Sequence, residues 1–137
     1  LFTTRLIPYM KKQHWGRVVT IASLQGREGG GRPWYNMAKS AEISLMKTLA
    51  MDPDLSGAGI TFNSVAPGAV IFPGNEWDRF RRQEPDKFRE RINKKNPCGR
   101  LGTPEDIASV VVFLCSEKAG LINGTSIAVD GAEGRSF

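Results

Sequence analysis

The chain has 137 residues, room for one domain of ordinary size. Hydrophobic residues make up 40% and charged residues 24%, a globular composition, and no apolar run approaches the roughly 18 residues of a membrane span, so a soluble protein without membrane contact is expected. The formal net charge of +5 is dispersed and no aromatics alternate with the basic residues, which argues against nucleic acid as a partner.

The two cysteines, Cys98 and Cys115, lack CxxC spacing and a nearby histidine cluster. This argues against a disulfide framework and against a metal site, and fits reduced thiols in a cytoplasmic protein. In chain order, LFTTRLIPYMKK has no initiator Met and no signal-peptide pattern, and reads as a helix entered midway. The loop QHWG, holding the single histidine His14 in an exposed, non-catalytic place, leads into RVVTIAS (17–23). That β-branched run has the composition of a strand buried on both faces of a parallel sheet.

The Gly-rich QGREGGGRP follows as a loop, and from Trp34 to Met51 the pattern is helical, with Ala38, Ala41, Leu45 and Leu49 along one face until Asp52-Pro53 stops it. GITFNSVAPG (59–68) is a second buried strand. Residues 76–95 carry eight Lys/Arg against five Asp/Glu, either a solvated helical face or a basic lid over an acidic or phosphorylated substrate. A helix begins at Thr103 as N-cap, with Pro104 first inside it and Glu105 and Asp106 at the positive end of its dipole. TSIAVDG (125–131) supplies a third strand. Alternating strands and helices predict a parallel α/β sheet, whose ligands bind beyond the carboxyl ends of the strands.

That rule directs attention to Ser23, at the end of the first strand, and to Tyr35 and Lys39 on one face of the helix that follows. Singly these residues have ordinary readings: a loop hydroxyl, a half-buried aromatic and a solvated lysine. Together they suit hydride transfer at a carbonyl or alcohol, which needs a proton delivered to or taken from oxygen. A tyrosine ordinarily titrates near 10, and an ammonium about 4 Å away at an effective dielectric near 20 favours its ionised form by about 4 kcal/mol. The Ser23 hydroxyl can hold the substrate oxygen beside the phenol.

GRVVTIAS, YNMAK, NSVAPG, GRLGTPEDIASVVVFLCSE and INGTSIAVDGA occur in the order found in the short-chain dehydrogenase/reductase family of the single-domain type, which the chain resembles over essentially its whole length. The general likeness is to 3-oxoacyl-carrier-protein reductases and to sugar or alcohol dehydrogenases. The resemblance implies the C-terminal part of a Rossmann-type doubly wound parallel sheet, with three strands and their helices forming the catalytic part of one domain over 1–137. It implies an NAD- or NADP-dependent oxidoreductase acting on a ketone, a 3-oxoacyl group or a secondary alcohol.

Carried over by position, Ser23 orients the substrate oxygen, Tyr35 is the acid/base, and Lys39 assists Tyr35 and binds the nicotinamide ribose. Pro67, Gly68 and Val70 border the nicotinamide, Gly68 because a missing Cβ lets the ring approach the backbone and Val70 through main-chain groups. Asn63 reads as a structural hydrogen-bonder. Trp34 either lines the substrate pocket or packs the helix start. Residues 72–97 correspond to a substrate lid, folded down by Trp77, Phe80, Phe88 and Ile92, and Trp77 is taken as substrate-binding.

Phe72 stands where the family usually has a Thr that helps hold the nicotinamide or its phosphate, and VDGA replaces the commoner VDGG. The family's TGxxxGxG turn, cofactor selector, NNAG stretch and catalytic Asn do not occur in this chain. The dinucleotide-binding half is therefore expected upstream, and the strand at 17–23 is expected to present an apolar edge without it. Family members commonly form tetramers through the helix before Ser23 and the helix bearing Tyr35, which makes Ile43, Met46 and Ala50 either subunit contacts or core. A non-catalytic member, serving as an assembly or nucleotide-sensing subunit, is the alternative function. The joint presence of Ser23, Tyr35 and Lys39 weighs against it.

Overall fold

A computed structural model describes residues 2–136. Three parallel strands, β1 (Gly16–Ile21), β2 (Ile60–Pro67) and β3 (Ser126–Val129), lie in the order β1-β2-β3. Gly16 to Ile21 pair in register with Ile60 to Val65, and Ser64 to Pro67 with Ser126 to Val129. Around them run α1 (Phe2–Lys12), α2 (Pro33–Ala50), the short α3 (Pro53–Ser56), α4 (Glu76–Gln83), α5 (Pro85–Lys95) and α6 (Pro104–Leu114).

The period of two along β2 sorts its side chains between two cores. Ile60 and Phe62 pack with Met46, Leu55 and Ala58 on the side of α1 and α2, where Ile7, Met10, Val18, Leu49 and Ala50 close the cluster. Val65 packs with Leu114 and Ala119 on the α6 side, joined by Ile107, Val110, Val111 and Ile127. Helices on both faces of a parallel sheet give the expected α/β, doubly wound architecture. Asn63 is fully buried in β2 and structural: its Nδ2 donates to Ile122 O at 2.8 Å and its Oδ1 accepts from Thr125 N at 3.1 Å.

Two expectations need correction. The composition of 17–23 predicts a strand buried on both faces, yet β1 is mostly half-buried and Ile21 is 46% exposed; its place at the edge of the sheet among the described residues agrees with expectation. In α2, Ala38, Ala41 and Leu45 face outward, while Asn36, Lys39, Ile43, Met46 and Ala50 face the sheet. Met46, 2% exposed, is therefore core, with Ala50 packed against it, and neither is available to a neighbouring subunit. The helical period located the element but could not tell its two partly apolar faces apart.

The signals at helix ends held. Thr103 Oγ1 accepts from Asp106 N while the Asp106 carboxylate accepts from Thr103 N, a capping box at the start of α6. Asp106 also takes a two-point ion pair from Arg100, which, ahead of the Thr103 N–H, holds its carboxyl far below the usual range. The basic stretch forms two helices and not one continuous face, because Glu84 leaves helical backbone before Pro85. Cys98 and Cys115 are exposed and unpaired, and no helix among the described residues is long and apolar enough to cross a membrane.

Candidate active site

Beyond the carboxyl ends of β1 and β2 lies a cleft of about 890 Å³, lined by Ser23, Tyr35, Pro67 and Gly68 together with Trp77, Arg91 and Glu133. Ser23 follows β1 and caps a 3-10 turn over Leu24–Gly26, accepting from Gln25 N at 3.2 Å. That bond uses an oxygen lone pair and leaves the hydroxyl proton for another partner. Gly26 lets this turn press on α2, since a Cβ there would meet the Lys39 carbonyl at 2.7 Å and Ile43 Cδ1 at 2.9 Å. Asn36 Nδ2 donates to Gln25 O and Glu28 O at 2.8 and 2.9 Å, fastening the Gly-rich loop to the first turn of α2. Ser23 and Tyr35 are thereby held on one wall.

Tyr35 is 40% exposed toward the cleft, and Lys39 Nζ lies 5.8 Å from the centre of its ring. The ammonium also donates to Ile21 O at 2.9 Å, at the end of β1, and pairs with Glu42 at 2.9 Å. Glu42, three residues beyond Lys39, was not anticipated, although its spacing was legible.

Pro67 and Gly68 form the opposite wall at the end of β2, where Gly68 N donates to Val129 O at 3.1 Å. The space a Cβ would need at Gly68 is taken by Glu133 Oε2 at 2.8 Å and Asp130 Cβ at 2.9 Å, so this glycine makes room for the C-terminal tail. Val70 pairs with Gly102 in an isolated parallel bridge, and its carbonyl accepts from Asn75 Nδ2 at 2.9 Å. Its N–H makes no hydrogen bond among the described residues. The side chains of Val70 and Phe72 turn the other way, into an apolar groove of about 480 Å³ shared with Ile21, Ile107 and Val111.

The third wall is helical. Asn75 caps α4 by accepting from Asp78 N, and Asp78 accepts from Gly74 N and pairs with Arg81 and Arg82. Trp77 and Phe80 stand 6.3 Å apart, Phe80 and Phe88 5.8 Å apart, and Ile92 is buried, so the four expected residues do form the inner side of the α4–α5 hairpin. Trp77 lines the cleft. Trp34 does not: it is 66% exposed and stands outside the lining.

Two acidic residues of the cleft, Glu133 and Glu28, and Asp130 of the adjoining tail have no role in the sequence reading. Glu133 accepts from Ala69 N at 2.8 Å and from Arg91 at 2.9 Å, and Glu28 accepts from the N–H groups of Arg135 and Ser136. Asp130 folds the tail on itself by accepting from Ala132 N and Gly134 N. Their partners are remote in sequence or depend on the tail's path, which no periodicity encodes.

A family model described as enoyl-(acyl carrier protein) reductase matches residues 1–132. The chain is 36% identical over 130 residues to the 3-oxoacyl-[acyl-carrier-protein] reductase FabG of Thermotoga maritima, covering 94% of this chain and 50% of that protein. It is 38% identical over 126 residues to an acetoacetyl-CoA reductase of Shinella zoogloeoides, covering 90% and 49%. It thus spans about half the length of the curated relatives it matches. Among solved structures, a short-chain dehydrogenase/reductase family oxidoreductase from Burkholderia thailandensis superposes with a TM-score of 0.80 at 32% identity, over 90% of this chain and 46% of that one. YwfH, an NADPH-dependent reductase involved in bacilysin biosynthesis, gives 0.79 at 29% identity, over 93% and 50%.

Proposed function

The chain belongs to the short-chain dehydrogenase/reductase family, and from that premise we propose that it is the catalytic part of an NAD(P)-dependent oxidoreductase that interconverts a ketone and a secondary alcohol with Tyr35 as acid/base. The observation that carries this reading is the convergence of Ser23, Tyr35, Pro67 and Gly68 on one cleft, with the Lys39 ammonium against the Tyr35 ring.

The residues present fit a nicotinamide. Pro67, Gly68 and Ala69 border an open cavity beside Tyr35, and Val70, the next residue along, has a backbone N–H without a hydrogen-bond partner among the described residues. When bound, the nicotinamide supplies or accepts the hydride at the substrate carbon. In the reducing direction, Ser23 donates its remaining hydroxyl proton as a hydrogen bond to the ketone oxygen, and Tyr35 transfers its phenolic proton to that oxygen as the alcohol forms. Lys39, with its positive charge facing the ring, stabilises the tyrosinate that is left. The same ammonium would hold a ribose hydroxyl only by giving up one of its bonds to Ile21 O or Glu42.

Relatives named for 3-oxoacyl-carrier-protein and acetoacetyl-CoA reduction support a 3-oxoacyl thioester as substrate, and the basic residues of α4 and α5 suit an acidic carrier. Residues 72–97 are read as the substrate lid and residues 1–137 as the catalytic part of one cytoplasmic domain, with dinucleotide binding completed by a further segment. Phe72 offers no hydroxyl to the cofactor.

The test is Tyr35→Phe in the full-length protein, followed through NAD(P)H absorbance with a 3-oxoacyl thioester. Turnover should fall by at least about 100-fold with cofactor affinity retained. Undiminished turnover in Tyr35→Phe would refute the mechanism.

A further inference from the structure

Glu133 occupies an unusual place in the cleft, because one carboxylate joins two walls that are far apart in sequence. Its Oε2 accepts the Ala69 N–H at 2.8 Å, and its Oε1 takes an ion pair from Arg91 of α5 at 2.9 Å. The Glu133 side chain is only 14% exposed and that of Arg91 30%. Arg91 is fixed on its other sides by Asn96 Oδ1 at 3.2 Å and by the face of Trp77, 5.4 Å from the ring centre.

The tail that carries Glu133 is itself anchored. The Asp130 carboxylate accepts from Ala132 N and Gly134 N, and the Glu28 carboxylate of the Gly-rich loop accepts from Arg135 N at 2.6 Å and Ser136 N at 3.0 Å. Glu133 therefore projects from a braced segment onto Gly68, filling the space that a Cβ would need. A carboxylate accepting one charge-assisted bond at each oxygen is held in a single rotamer, whereas loss of either partner releases a long, mobile side chain.

We infer that Glu133 is a positioning residue that couples the α4–α5 hairpin to the Pro67–Val70 segment. Seating Arg91 on the cleft sets the loop that borders the reacting groups, and withdrawing it loosens that loop. The consequence for catalysis rests on the oxidoreductase reading above, but the coupling itself does not.

The experiment is hydrogen exchange, resolved by residue, on the full-length protein. The Ala69 N–H is bonded to Glu133 and not to Arg91, so Arg91→Met should accelerate exchange at the Ala69 N–H through Glu133, by about tenfold. Glu133→Gln, close in volume and able to keep an acceptor toward Ala69 N while turning a donor toward Arg91, should release residues 76–95 as Arg91→Met does. Unchanged Ala69 exchange in a folded Arg91→Met, with only 76–95 exchanging faster, would overturn the coupling. Tyr35→Phe should leave the exchange pattern intact, so the coupling and the catalytic reading can fail separately.

Discussion

Met46 shows what a single position in α2 contributes. It is 2% exposed between Leu55, Ala58, Ile60 and Phe62, and truncation would leave a cavity between the helix and β2. Met46→Ala should destabilise the full-length protein by about 2–5 kcal/mol in chemical denaturation, with the slope of the transition unchanged. At the same scale, the trio proposed for catalysis was legible because its spacing is local: Tyr35 and Lys39 share a helical face, and Ser23 ends a β-branched run. Glu133 was not legible. Its partners stand 42 and 64 residues away, and nothing near it in sequence distinguishes it from a tail carboxylate.

Among the elements, the α4–α5 hairpin depends on a charge arrangement at its first turn. The Gly74 N–H holds Asp78 below the ordinary carboxylate range; burial opposes this, and Arg81 and Arg82 add to the lowering. A carboxyl depressed in the folded state contributes stability above its unfolded value, 3.8, and loses it as pH falls through the folded value. Acidification below that range should therefore loosen the start of α4, read as faster exchange over 75–80. Asp78→Asn should abolish that acid dependence. The split of the stretch into two helices could be anticipated from Pro85. The helical spacing of Trp77, Phe80, Phe88 and Ile92 likewise foretold their packing on one side of the hairpin, of which Trp77 lines the cleft.

At the level of the molecule, the outward face of α2 presents Trp34, Met37, Ala38, Ala41 and Leu45, and α1 presents Phe2, Leu6 and Tyr9. These stripes are where the homo-oligomer that the family resemblance leads one to expect would be built, in place of Met46 and Ala50. If so, Ala41→Glu should shift the full-length protein toward smaller species in sedimentation, and Met46→Ala should change stability without changing assembly. The exposed edge of β1 is the other incomplete surface. Its β-branched residues are half-buried, and at its two ends the Gly16 and Ile21 carbonyls accept from the side chains of Arg17 and Lys39.

Sequence by itself determined the class of fold, the order of the elements, the helix caps at Thr103 and Pro104, and the residues that form one wall of the cleft, because each is written in local spacing and backbone preference. Tertiary structure alone decided which face of α2 is core, that Trp34 stays outside the cleft, and that Gly68 yields its space to Glu133. A helix with two partly apolar faces is resolved only by what packs against it, and a carboxylate acquires a role only when the chain brings distant donors to both of its oxygens.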